Sequence, residues 1–323
     1  MSCADGRAPP RTRHAAVPGS PPAALPDAAA GLTSGARRVT RVVVTGGSGK
    51  LGRAVVEHLA EHGYDVVNVD TAPPPAGQRA LFSRVDLTDL GQVTEALTGI
   101  DDRYDGVDAV VHLAAIPAPG LYPSGATFAN NVVATHHVFS AARRAGIRNV
   151  VWASSETVLG LPFETPPPYV PVDEEYAVRP ESTYSLGKAV EEEMARHFTR
   201  WDPELKLIGL RFSNVMEVGD YAAFPGFAAD PRSRMWNLWG YIDARDGALA
   251  VRLALESDLR GFEAFIIASP DTVLERPSAD LVAEYFPDVP VTRPIEGRET
   301  LLSIDKARRL LGYDPQHTWR DEV

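Results

Sequence analysis

One run of eight residues constrains this chain more than any other: Thr45-Gly46-Gly47-Ser48-Gly49-Lys50-Leu51-Gly52. A β-branched stretch at 41–44 reads as a strand before it, and Leu51, Val55 and Leu59 recur at helical spacing after it. Glycines at 46, 49 and 52 therefore sit where a strand turns into a helix. Such a turn needs torsions that only glycine adopts cheaply, Gly49 lets the main chain approach a pyrophosphate, and Gly52 lets helix and strand pack closely. The helix N-terminus then presents amides and positive dipole to phosphate groups. Asp70 follows 18 residues after Gly52, at the end of a second apolar run. A carboxylate at that distance accepts both ribose hydroxyls of NAD and repels the additional phosphate of NADP. NAD is favoured as cofactor over NADP, although Lys50 and Arg53 partly offset that repulsion.

Short apolar runs continue to alternate with helix-period segments, the pattern of parallel strands joined by crossover helices. Strands are expected at 41–44, 66–69, 109–113, 150–153, 205–210 and 264–268. Thr88-Asp89 is expected to cap a helix through Val93, Ala96 and Leu97. The Pro-rich stretch 161–171 is expected to be a surface loop. The predicted class is α/β, an open, mostly parallel, doubly wound sheet of Rossmann type with a small C-terminal lobe over the substrate. Residues 1–38 hold ten Ala, six Pro and four Gly without hydrophobic periodicity, and read as a disordered leader. Residues 39–213 read as the cofactor-binding core, and 214–323 as a substrate lobe interleaved with the last sheet elements.

Composition narrows the functional classes. With 44% hydrophobic and 23% charged residues, the 323-residue chain can bury a sizeable core. A net charge of −11 opposes nucleic-acid binding, and no apolar run is long enough to span a membrane. A single cysteine, Cys3, precludes an internal disulfide, and the expected location is cytoplasmic. His58 and His62 share a helix face but have no third ligand, so no metal is expected.

The chemistry is expected around Tyr184-Ser185-Leu186-Gly187-Lys188. Tyr184 and Lys188, four residues apart, share a helix face. An adjacent ammonium, helped by an oxidised nicotinamide, favours the phenolate and moves a phenol near pKa 10 toward working range, making tyrosine a usable general acid-base. Ser154-Ser155 end the strand beginning at Val150, on the sheet edge where open α/β folds bind ligands. A hydroxyl there can hold a substrate oxygen while the tyrosine moves its proton.

Together these motifs resemble the extended short-chain dehydrogenase/reductase superfamily, specifically its NAD-dependent epimerase/dehydratase group. The resemblance spans about 39–312 and adds Asp86-Leu87, His112-Leu113-Ala114-Ala115, Asn131-Val132, Arg211-Phe212-Ser213-Asn214 and Tyr241-Ile242-Asp243. It implies that Asp86 and Leu87 border the adenine, and that Leu113, Ala114 and Ala115 line the middle of the cofactor. Ser155 would orient the substrate, Tyr184 would act as acid-base, and Lys188 would bind the nicotinamide ribose. It also implies a homodimer through the helices bearing Asn131 and Tyr184. Asn131 matches a family asparagine whose role here is equally well met by packing.

Departures from the family pattern bear on the substrate. Ser155-Glu156-Thr157 replaces the acid pair of nucleotide-sugar dehydratases, and Trp239-Gly240 precede Tyr241 where nucleotide-sugar epimerases place a diphosphate-gripping arginine; Arg234 nearby could take that role or belong to a solvated loop over 230–234. Met216-Glu217-Val218-Gly219 replaces Tyr-Gly-Pro. The chain is closest in style to small members such as uronate dehydrogenases, with Glu156, Asn214, Arg234 and Trp239 as substrate-facing candidates; Trp236 and Trp239 could stack on a sugar ring, and core packing is at least as common a role for tryptophan. The expected function is hydride transfer between NAD and a secondary alcohol or carbonyl of a small sugar, sugar acid or polyol. Two alternatives stand beside it: an epimerase of a sugar or nucleotide sugar that retains its NAD, and a non-catalytic NAD sensor.

Overall fold

A computed structural model describes residues 39–100 and 103–322; the leader 1–38 lies outside the described residues. In chain order the elements are β1 (Arg41–Thr45), α1 (Lys50–Glu61), β2 (Asp65–Asp70), β3 (Leu81–Arg84), α2 (Leu90–Thr98), β4 (Ala109–His112), α3 (Ser124–Arg144) and β5 (Asn149–Ser155). They continue with α4 (Thr183–Trp201), β6 (Lys206–Phe212), β7 (Val215–Met216), α5 (Phe224–Phe227), β8 (Ile242–Asp243), α6 (Ala244–Glu256), β9 (Gly261–Ile267), α7 (Ser278–Tyr285) and α8 (Asp305–Leu311).

Seven strands form one sheet in the order β3-β2-β1-β4-β5-β6-β9, and every pairing is parallel. Alternation along β1 shows why the sheet needs cover on both faces. Val42 and Val44 enter one core with Val55 and Leu59 of α1, whereas Val43 enters a second core with Val93, Ala96 and Leu97 of α2. Helices α1 and α6 lie on the first face; α2, α3 and α4 lie on the second. From β1 the chain moves outward through β2 and β3, then crosses to β4 on the other side. That reversal opens a crevice at the C-terminal ends of β1 and β4.

Local signals placed most elements well. Asp89 caps α2, its carboxylate accepting from the amides of Gly91 (2.8 Å) and Gln92 (3.2 Å). The pattern did not reveal β3, a four-residue edge strand, or the two-residue pair β7–β8. Nor is 161–171 a simple surface loop. Leu161, Phe163 and Val170 are buried in the main core, and Val170 bridges Val291 in parallel. The prolines exclude regular structure there, but the apolar residues between them still pack inward. After Ser213 the chain forms the short β7–β8 pair and then returns to the large sheet as β9.

Candidate active site

A cavity of about 1190 Å³ runs along the crevice, lined at one end by the glycine turn and at the other by β5, α4 and the segment after β6. Gly46 has φ 72°, and a Cβ there would sit 2.6 Å from the amide nitrogen of Ala114. A Cβ on Gly52 would overlap the carbonyl oxygen of Gly46, because α1 starts directly against the turn. Gly49 is extended (φ −75°) and serves as the N-cap of α1 without a side-chain cap. Among the described residues no side chain caps the first turn of α1, where Gly49, Lys50, Leu51 and Gly52 line the cavity.

Asp70 closes β2 beside this turn. Its carboxylate accepts from the amides of Ser48 (3.0 Å) and Ala72 (3.1 Å), which fixes its orientation at the cavity wall. Asp86 and Leu87 line the same end, and Leu113, Ala114 and Ala115 line the middle. Asn131 acts from behind: its side chain accepts from the Ile116 amide (2.8 Å) and donates to the Ile116 carbonyl (3.0 Å). It thereby clamps the cavity-lining loop after β4. This chain's residues fit an extended dinucleotide: amides for phosphates, a carboxylate for a ribose diol, and apolar walls for a base.

At the other end, Ser155 finishes β5 and Tyr184 lies in the first turn of α4. Ser182 and Ser185 cap that helix reciprocally, fixing its start. The Ser155 hydroxyl accepts from the Thr157 amide (3.2 Å) and hydroxyl (2.9 Å), and stands beside the Tyr184 hydroxyl. Lys188 is buried one turn further on. It donates to the Ala153 carbonyl (2.8 Å) and to the Glu191 carboxylate (3.0 Å). Ser155, Tyr184 and Lys188 all line the cavity. Burial raises the Tyr184 hydroxyl above the ordinary phenol value, against the downward pull of Lys188 and Ser155; an oxidised nicotinamide, the other half of the expected tuning, would add to that pull.

The four substrate-facing candidates separate. Glu156 and Asn214 line the cavity, whereas Arg234 and Trp239 do not. Glu156 is buried and its carboxyl is pushed up to about 7 by burial, against the stabilising effect of Ser213, Asn237 and Arg234. Asn237 donates to one of its oxygens at 3.2 Å. Arg234 stands behind the wall, donating to the Asn214 side-chain oxygen (2.8 Å) and the Gly240 carbonyl (2.9 Å). Trp239 is fully buried, donates to the Pro231 carbonyl and packs on Tyr285 and Phe286. Left-handed torsions at Leu238 and Trp239 turn the ring into the core, which the residue type alone did not reveal. Trp236 lines the cavity instead.

One buried group escaped the sequence reading, and a second was read there only as part of a family motif. Glu191 pairs with Lys188, and its signal was only its position three residues along the same helix. His112 bridges the Thr45 hydroxyl (2.7 Å) and the Thr135 hydroxyl (3.1 Å), and burial lowers it to about 3 and keeps it neutral. Among the described residues no group of three or more His, Cys, Asp and Glu could hold a metal ion, and no helix is long and apolar enough to cross a membrane.

Comparison with known proteins agrees with this architecture. Residues 42–268 match the model of the NAD dependent epimerase/dehydratase family. An NAD-dependent glucose-6-phosphate dehydrogenase of Haloferax volcanii is 28% identical, with 85% of this chain and 92% of that protein covered. UDP-glucose 4-epimerase 2 of Arabidopsis thaliana is 32% identical over 54% of this chain, which spans only about half (51%) of that relative. A crystal structure of UDP-galactose 4-epimerase is similar at TM-score 0.63 and 27% identity, covering 88% of this chain and 96% of that one.

Proposed function

The chain belongs to the NAD dependent epimerase/dehydratase family, and from that premise we propose that it is an NAD-dependent oxidoreductase acting on a secondary alcohol or carbonyl of a small sugar, sugar acid or polyol. The observation that carries this reading is the placing of Ser155, Tyr184 and Lys188 on the wall of the cavity that also holds the glycine turn. In the oxidising direction the Ser155 hydroxyl holds the substrate oxygen, and the Tyr184 oxygen takes the proton leaving that hydroxyl. The Lys188 ammonium, together with the positive charge that the oxidised cofactor would bring, stabilises the phenolate from which Tyr184 starts. NAD, when bound, supplies the hydride acceptor for the substrate carbon. Gly46, Gly49, Lys50, Leu51, Gly52, Asp70, Asp86, Leu87, Leu113, Ala114 and Ala115 would hold that cofactor, with Tyr184 and Lys188 at its nicotinamide end.

The substrate end favours a free sugar over a nucleotide sugar. Of the charged residues lining the cavity, Lys50 pairs with Asp220 and Lys188 with Glu191, and Asp70 and Asp86 flank the glycine turn; Glu156 alone remains beside Ser155. A diphosphate there would meet no unpaired cation on the cavity wall and would have to draw Arg234 from behind Asn214. Asn214 and Glu156 are proposed to touch the substrate, with Arg234 acting through Asn214. We further propose that two copies pair through α3 and α4, and that the enzyme works in the cytoplasm.

The test begins by denaturing freshly purified protein and identifying any nicotinamide cofactor released. Empty protein that binds added NAD and forms NADH with free sugars or sugar acids supports the oxidoreductase; about one retained NAD per chain with sugar epimerisation would replace it by the epimerase reading. A Tyr184→Phe variant should lose roughly 10²- to 10⁴-fold in turnover. Undiminished turnover would remove Tyr184 from the mechanism, and bound NAD without turnover on any sugar, aldehyde or ketone would favour a sensor.

A further inference from the structure

Lys188 has three ammonium protons, and two of them are already committed inside the protein. One goes to the Ala153 carbonyl at the end of β5 and one to Glu191 on the next turn of α4. Both members of the ion pair are buried, at 4% and 0% side-chain exposure, so the pair is shielded from solvent and its geometry is tightly held. Because Lys188 also lines the cavity, its third proton is the one available to a ligand there.

We propose that Glu191 is a positioning residue of the reaction: its carboxylate fixes the Lys188 ammonium so that the third proton faces the cofactor cavity, and its charge sets the field acting on the Tyr184 hydroxyl. This rests on the reading of Tyr184 as the acid-base and adds a group that touches neither substrate nor cofactor. The surroundings of Glu191 support it. On its own helix Lys188 is its counterion, while Glu192 is directed elsewhere, bound by the Arg211 guanidinium of β6 (2.9 and 2.8 Å) and by the Ser154 hydroxyl (2.7 Å). From α3, the Thr135 hydroxyl approaches the Glu191 carboxylate and also contacts His112 of β4. His112 is neutral and brings no charge. At the end of β5, Glu156 is a second acid facing Tyr184.

The arrangement has a clear electrostatic consequence. A lysine lowers a neighbouring phenol only to the extent that its charge is uncompensated, and here a carboxylate lies 3.0 Å from the ammonium. Both Glu191 and Glu156 oppose ionisation of Tyr184, on top of the burial that already disfavours it. Tyr184 therefore keeps its proton in the cofactor-free protein, and additional positive charge in the cavity is needed to release it. The oxidised nicotinamide ring carries such a charge.

The test is a tyrosinate ultraviolet titration of the purified full-length protein, taken as the difference between the wild type and Tyr184→Phe, without added cofactor and again saturated with NAD. Wild-type Tyr184 is expected to titrate above the ordinary phenol value without cofactor, and lower with NAD. Glu191→Gln, which keeps the shape and removes the charge, should lower the cofactor-free titration by on the order of one unit. Glu191→Asp, which keeps the charge, should stay near the wild type. A wild-type Tyr184 that titrates below the ordinary value overturns the proposal even if Glu191→Gln fails to fold. So does a folded Glu191→Gln protein with unchanged titration, which would reduce Glu191 to a structural ion-pair partner. Because no turnover enters this measurement, a failure of the oxidoreductase reading would appear separately, in the substrate screen.

Discussion

Glu156 is the residue whose ionisation most directly links the cavity to pH. Its carboxyl is raised by burial to about 7, so between the ordinary carboxylate range and 7 the folded chain holds a proton that the unfolded chain has released. A raised acid of this kind supports the fold at low pH and withdraws that support as pH rises through the folded value. Wild-type thermal stability is thus expected to fall between about pH 5 and 8 relative to Glu156→Gln, by about 3 kcal/mol at the alkaline end. Melting curves of both proteins across that range would check it; parallel curves would refute it. The glycines allow a second comparison. Gly52→Ala forces a methyl into the Gly46 carbonyl and should lower the melting temperature of the protein or abolish folding, whereas Gly49→Ala meets that carbonyl only at 3.3 Å and should leave the fold nearly intact while weakening NAD binding. Equal melting temperatures for the two variants would contradict the packing. These glycines, Asp70, Tyr184 and Lys188 were legible because their chemistry fixes residue type at short spacing. Glu191 was not: in Glu191-Glu192-Glu193 the letters read alike, yet the first two are buried and the third is exposed. Only the packing of α4 between the sheet and α3 distinguishes them.

At the scale of elements, strands covered on both faces announce themselves as continuous β-branched runs, and those at 42–44, 66–67 and 150–151 did. Edge strand β3, Leu81-Phe82-Ser83-Arg84, mixes apolar and polar residues over four positions and left no such trace. The stretch 161–171 misled for the opposite reason, since its prolines announced a loop but not a loop whose Leu161 and Val170 complete the core. A buried lysine shows what else joins the elements. Lys206, at the start of β6, donates to the carbonyls of Ala254 (3.0 Å), Leu255 (3.0 Å) and Ser257 (2.8 Å), satisfying the C-terminus of α6. Lys206→Met keeps the bulk and removes all three donors, which should cost about 2–4 kcal/mol in chemical denaturation. A loss below about 1 kcal/mol would mean that the helix end finds other partners.

Across the whole molecule, α4 has two different faces. Its inner side carries Tyr184, Lys188 and Glu191 toward the sheet and α3, while Leu186 is 46% exposed on its outer side and Val133 of α3 is 37% exposed. Exposed apolar side chains on these two adjacent helices are what a second copy would cover, and the proposed dimer would then brace the helix that holds the acid-base. Sedimentation should then give about twice the 34.9 kDa of one chain, and Val133→Asp combined with Leu186→Asp should give the single-chain mass. NAD binding is expected to survive in that variant, because neither Val133 nor Leu186 lines the cofactor cavity. Turnover is expected to fall, as α4 loses its outer support. A wild type that sediments as a monomer at micromolar concentration would remove the dimer from this account and leave α4 braced by α3 and the sheet alone.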